Sequence, residues 1–131
     1  MTKKISPLAE VHPDAEIGAG VMIGPFCTVG PNVKLGAGTI LDNNVSISGH
    51  TTIGQGNRCF PGVVIGAEPQ DVSYKGSPTE VRIGDNNVFR ECVTVNRGTE
   101  KEDGVTSVGN GSYFMACSHI AHDCKVGDHV H

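Results

Sequence analysis

Aliphatic residues recur every six positions along most of this chain. The series runs Ile5, Val11, Ile17, Ile23, Val29, Leu35, Leu41, Ile47 and Ile53, then Cys59 as the one departure, then Ile65. Four residues after each stands a small or β-branched side chain, as in Ala9, Ala15, Val21, Cys27, Val33, Thr39, Val45 and Thr51. Asn57 breaks this second series and Val63 restores it. The frame resumes at Ile83, Phe89 and Val95, and again at Val108, Phe114, Ile120 and Val126. A helix would space its apolar residues by three and four, and a lone strand would alternate by two. A period of six instead fits one short strand and one turn per unit. Three such units close a triangular coil, and stacked coils pair their strands in parallel. The eighteen units predict an all-β, parallel β-helix of six coils, about 29 Å tall at the usual strand spacing.

Such a prism has a narrow interior and a corner after every strand. The 131 residues include 18 glycines but only six aromatic residues, none of them tryptophan. Corners that need positive φ account for the glycine in this reading, and the thin core accounts for the scarce aromatics. One domain over 1–131 is expected.

Two segments fall outside the frame, residues 71–82 and 101–107. They follow the eleventh and fourteenth units, which three-unit coils place in one column. The seventeenth unit of that column, Ile120-Ala121-His122-Asp123-Cys124-Lys125, carries His122. Insertions in solenoids project from one face, often the binding face. A neutral imidazole takes a proton from an alcohol near pH 7, and a neighbouring carboxylate orients it. His122 with Asp123 therefore suits acyl transfer to a hydroxyl. One prism face is convex, so a deep cleft needs a second wall. A homotrimer with sites between subunits supplies it.

Ten basic against fourteen acidic residues give a net charge of −4, which disfavours a nucleic-acid partner. No apolar run reaches the length of a membrane span, and the N-terminal sequence has no hydrophobic signal core, so a cytoplasmic protein is expected. Five cysteines without a C-x-x-C pair support neither a disulfide framework nor a zinc ribbon. No metal or cofactor is called for.

The stretches Pro69-Gln70-Asp71 with Tyr74, Ile83-Gly84-Asp85-Asn86, Val95-Asn96-Arg97-Gly98-Thr99 and His119-Ile120-Ala121-His122-Asp123-Cys124 carry a resemblance along the whole chain. It is to the UDP-N-acetylglucosamine O-acyltransferases of the hexapeptide-repeat acyltransferase superfamily. The resemblance implies left-handed coils. It also implies transfer of a 3-hydroxyacyl chain from acyl carrier protein to the glucosamine 3-hydroxyl of UDP-N-acetylglucosamine, the first step of lipid A synthesis. His122 would be the general base, supported by Asp123, while Gln70, Asp71 and His119 would contact the UDP-sugar. Asn96 stands where many members have histidine, and Ser73 where they have lysine. Asn96 can still hydrogen-bond a substrate but cannot carry charge.

Family members continue with further coils and a C-terminal helical domain, so the chain reads as the N-terminal part of a larger enzyme, weakly active or inactive alone. Three rivals share the repeat. A glucosamine N-acyltransferase is disfavoured by Gln70-Asp71 and by Asp123 after His122. A trimeric zinc carbonic anhydrase would resemble H-x4-H, whereas Cys124 stands five residues beyond His119. A bare β-helical scaffold would be indifferent to His122.

Overall fold

The structure is a computed structural model and describes residues 2–131. Its eighteen short strands form three parallel sheets of six. Sheet one holds β1 (Lys4–Ile5), β4 (Met22–Ile23), β7 (Ile40–Leu41), β10 (Arg58–Cys59), β13 (Val88–Phe89) and β16 (Tyr113–Phe114). Sheet two holds β2 (Glu10–Val11), β5 (Thr28–Val29), β8 (Ser46–Ile47), β11 (Val64–Ala67), β14 (Thr94–Asn96) and β17 (His119–Ile120). Sheet three holds β3 (Glu16–Ile17), β6 (Val33–Leu35), β9 (His50–Ile53), β12 (Glu80–Ile83), β15 (Val105–Val108) and β18 (Lys125–Val126). Each strand from β1 to β15 pairs with the third one after it, which is the signature of a triangular coil. The fold is a left-handed parallel β-helix. Right-handed crossovers prevail where a helix packs back on a sheet. Here the strands turn through tight corners, so that constraint is absent.

The register reports the repeat directly. Ile5 pairs with Ile23, and Ile23 with Leu41, each step spanning eighteen residues. The step widens to thirty from Ile53 to Ile83 and to twenty-five from Ile83 to Val108. Twelve and seven residues are thus inserted without changing the pairing on either side. The irregular segments run from 68 to 79 and from 97 to 104, three or four residues earlier than the sequence frame places them. The reason is that the frame counts from the inward aliphatic, whereas strands β12 and β15 begin up to three residues before it.

The repeating aliphatics fill the axis. Ile23, Leu41, Ile47, Ile53 and Ile65 are all at most 2% exposed, each burial stabilising by about 1.5–3 kcal/mol. The column that starts at Ile5 widens at its far end, where Phe89 and Phe114 stack with ring centroids 5.1 Å apart. Among the described residues no helix is long and apolar enough to cross a membrane.

Positive φ explains only half of the glycines. Nine of the eighteen have it, and the other nine do not. Those that follow an inward aliphatic are mostly of the second kind, and close stacking is what excludes a side chain there. A Cβ on Gly24 would stand 2.0 Å from the Asp42 carbonyl oxygen of the next coil. Several corners instead place non-glycine residues at positive φ, among them Phe26, Asn44, Cys92, Cys117 and Asp123.

Candidate active site

The column inferred from unit counting exists. Ile65 pairs with Val95, and Val95 with Ile120, so β11, β14 and β17 stack. Both insertions and His122 leave sheet two at the same corner. After β17 the chain turns through Ala121–Cys124, closed by a bond from the Cys124 N–H to the Ala121 carbonyl at 3.2 Å. Asp123 takes φ 66° in this turn, a conformation that aspartate tolerates better than most residues. Its N–H donates to Thr106 Oγ1 at 2.8 Å.

That turn aims the two side chains at each other. His122 Nδ1 lies 2.9 Å from Asp123 Oδ2. The carboxylate is also gripped from the second insertion, with the Thr99 N–H donating to Oδ1 at 2.8 Å and the Thr99 hydroxyl to Oδ2 at 2.6 Å. Burial alone would raise the Asp123 carboxyl. The hydrogen bonds from Thr99 and His122 outweigh it and hold the group below its ordinary value. An ionised carboxylate only accepts, so His122 Nδ1 must carry the proton and its Nε2 keeps a free lone pair. The Asp123 side chain is 8% exposed and that of His122 is 30%. The carboxylate is thus shielded while the imidazole reaches solvent, as a base acting on a bound alcohol requires.

The other sequence-derived candidates surround this pair in different ways. Asn96 ends β14, is buried, and donates from Nδ2 to the Glu68 carbonyl at 2.7 Å, while its Oδ1 has no partner. Asp71, in the first insertion, accepts from the Ser73 N–H at 2.9 Å and pairs with Lys101 Nζ of the second insertion at 3.0 Å. The bonds from Ser73 and Lys101 hold its carboxyl well below the usual carboxylate range. His119 lies exposed on β17, with Nδ1 2.8 Å from Thr94 Oγ1 on the neighbouring strand. Gln70 is exposed in the first insertion. Among the described residues no group of three or more His, Cys, Asp or Glu is placed to hold a metal ion.

Sequence reasoning missed what locks the two insertions together. Arg97 Nε donates to the Tyr74 hydroxyl at 3.2 Å, and its Nη1 to the Gly66 carbonyl at 2.9 Å. Glu100 accepts the Lys75 and Ser77 N–H groups at 3.1 Å. Thr99 and Thr106 were legible only as inward members of the repeat, four residues after Val95 and two before Val108. Nothing in the spacing said that both would bind Asp123. A broad concavity lies elsewhere, on the outer face of sheet one between Met22, Phe26, Ile40 and Arg58, and it is lined by neither His122 nor Asp123.

The lowered carboxylates give a pH prediction. Asp123, Asp71, Asp103 and Glu91 all sit below their ordinary values in the folded chain. Each therefore contributes stability that is complete above the unfolded carboxylate range, near pH ~4, and lost as pH falls through the lowered values. Thermal unfolding followed by circular dichroism is expected to show a melting temperature that drops steeply below about pH 4. Asp123→Asn should flatten that slope, and an unchanged slope would refute Asp123 as a contributor.

No protein-family model matches the chain. It is 50% identical over 127 residues to the acyl-[acyl-carrier-protein]–UDP-N-acetylglucosamine O-acyltransferase of Thermodesulfovibrio yellowstonii, covering 97% of this chain and 49% of that one. The namesake of Syntrophobacter fumaroxidans is 47% identical over the same shares. Among solved structures, LpxA from Acinetobacter baumannii superposes with a TM-score of 0.93 at 44% identity, over 95% of this chain and 48% of that one. The Bacteroides fragilis LpxA, a UDP-N-acetylglucosamine acyltransferase, gives 0.91 at 48% identity, over 94% and 48%. The chain spans about half the length of the curated relatives it matches.

Proposed function

We propose a function from one premise: the chain belongs to the UDP-N-acetylglucosamine O-acyltransferase family. It carries the proton-transfer part of an enzyme that moves a 3-hydroxyacyl chain from acyl carrier protein to the 3-hydroxyl of UDP-N-acetylglucosamine. That reaction opens lipid A synthesis, in the cytoplasm. The observation that supports this most strongly is the His122 Nδ1–Asp123 Oδ2 contact of 2.9 Å, with the carboxylate clamped by Thr99.

In the reaction His122 Nε2 takes the proton of the sugar 3-hydroxyl as its oxygen attacks the thioester carbonyl. Asp123 keeps the imidazole in the Nδ1–H tautomer and stabilises the imidazolium that forms. Collapse of the tetrahedral intermediate breaks the C–S bond, and the imidazolium returns its proton to the departing thiolate. Gln70, Asp71, Asn96 and His119 are the proposed contacts of the UDP-sugar. His122→Ala tests the base, with the expected loss argued in the Discussion.

The proposed assembly is a homotrimer, because a site on one convex prism face lacks an opposing wall. Sedimentation equilibrium is expected to return three chain masses. A monomer at every accessible concentration would overturn the trimer.

A further inference from the structure

One corner column carries two thiols. From the second coil on, the residues three after the inward members of sheet one are Phe26, Asn44, Gly62, Cys92 and Cys117, all with φ between 56° and 81°. The column is regular, since each N–H donates to a carbonyl of the coil before it. Asn44 reaches Pro25, Cys92 reaches Pro61 and Cys117 reaches Glu91, at 3.1, 3.2 and 2.9 Å. Cys92 and Cys117 are therefore stacked neighbours, bracketed by the pairs Phe89 with Phe114 and Thr94 with His119. Both are exposed free thiols, whereas Cys27 and Cys59 are buried in the core.

The spacing of the column matches a disulfide. Adjacent parallel strands put paired Cα atoms about 4.8 Å apart, inside the roughly 4.4–6.8 Å window that a disulfide accepts. The step below gives a direct gauge of side-chain reach. A Cβ built on Gly62 would stand 3.0 Å from the Cys92 Sγ. A disulfide with an S–S bond of about 2.05 Å places each sulfur roughly 3 Å from its partner's Cβ. One step along the same column, both positions are cysteine.

We propose that Cys92 and Cys117 form a dithiol site that a hydroperoxide converts into a disulfide between the last two full coils. One thiolate attacks the peroxide, forming an S–O bond while the O–O bond breaks and the alcohol or water leaves. The second sulfur then attacks that sulfenic acid, an S–S bond forms, the S–O bond breaks, and hydroxide departs with the second thiol's proton as water. Two electrons pass from the thiol pair to the peroxide. The closed bridge ties β13–β14 to β16–β17 and encloses the second insertion, whose Thr99 holds Asp123.

The test treats the reduced chain with stoichiometric hydrogen peroxide and follows intact mass and peptide maps. The expected result is a loss of about 2 Da, two of the five thiols consumed, a Cys92–Cys117 cross-linked peptide, and full reversal by phosphine reductant. Cys92→Ser and Cys117→Ser should each abolish the mass loss, while Cys124→Ser should retain it. Three outcomes would overturn the proposal: a bridge that includes Cys124, cross-linked dimers in place of an internal bridge, or independent oxygen addition to each cysteine with no bridge.

Discussion

On the proposed function, and in a chain spanning the full length of the relatives, transfer to UDP-N-acetylglucosamine is expected to fall by about 10²–10⁴-fold in kcat when His122 is replaced by alanine, the range set by loss of a positioned general base. The KM for the sugar nucleotide should stay within about threefold, because proton removal strengthens only in the transition state. The same geometry makes a graded prediction at Thr99. Its hydroxyl, 2.6 Å from Asp123 Oδ2, is a hydrogen bond to a charged group, worth about 1.5–3 kcal/mol. Thr99→Val should cost kcat about tenfold or more, at ~1.4 kcal/mol per decade, and Thr99→Ser should recover most of it. Imidazole nitrogen shifts of His122 read the same effect without turnover. They should report Nδ1–H in the unmodified chain and a mixed tautomer in Thr99→Val. Unchanged acyl transfer by the His122→Ala protein would leave the β-helix a scaffold and the His122–Asp123 pair without a catalytic role.

The repeat made this fold legible because a period of six admits few solutions. The register pairs from Ile5↔Ile23 to Val108↔Val126 join residues that the spacing already equated, apart from a bulge after Ile65 that sets Ala67 against Asn96. Column counting also put both insertions and His122 on one corner, since that needs only modulo-three arithmetic. What escaped were features that depend on three-dimensional reach. The grip of Thr99 on Asp123 spans 24 residues, and the Lys101–Asp71 pair spans two insertions that obey no repeat. The glycines misled in part. Their excess pointed to corners, whereas Gly24, Gly36 and Gly54 are required because the next coil's backbone leaves no room for a Cβ. Asn57 stood out only as a break in the series, with no hint that it begins a buried amide ladder.

That ladder sets the largest expected stability effect. Asn57 is 1% exposed. Its Oδ1 accepts both the N–H and the Nδ2 of Asn87 at 2.9 and 3.0 Å, and its Nδ2 donates to the Gly84 carbonyl at 2.8 Å. Asn87 repeats the pattern upward, donating to the Gly109 carbonyl and accepting the Ser112 N–H, both at 2.9 Å. The amides thus bridge the coils that the two insertions separate, where ordinary eighteen-residue stacking is interrupted. Asn57→Leu keeps the branched side-chain skeleton, in a bulkier form, but strands the Asn87 N–H and the Gly84 carbonyl in the interior, each at about 1–3 kcal/mol. A loss of about 3–5 kcal/mol is expected in denaturant titrations. Because a solenoid's stability is a sum over neighbours, the damage should be local. Hydrogen exchange should quicken in β12–β18 while β4–β9 keep their protection. A loss below about 0.5 kcal/mol, the ordinary scale of a surface change, would show that the ladder does not join the two halves. A local loss has a functional corollary, because β12–β18 carry Asn96, Thr99, His119 and the His122–Asp123 pair. The variant should lose the clamp on Asp123 at denaturant concentrations where the N-terminal coils remain folded.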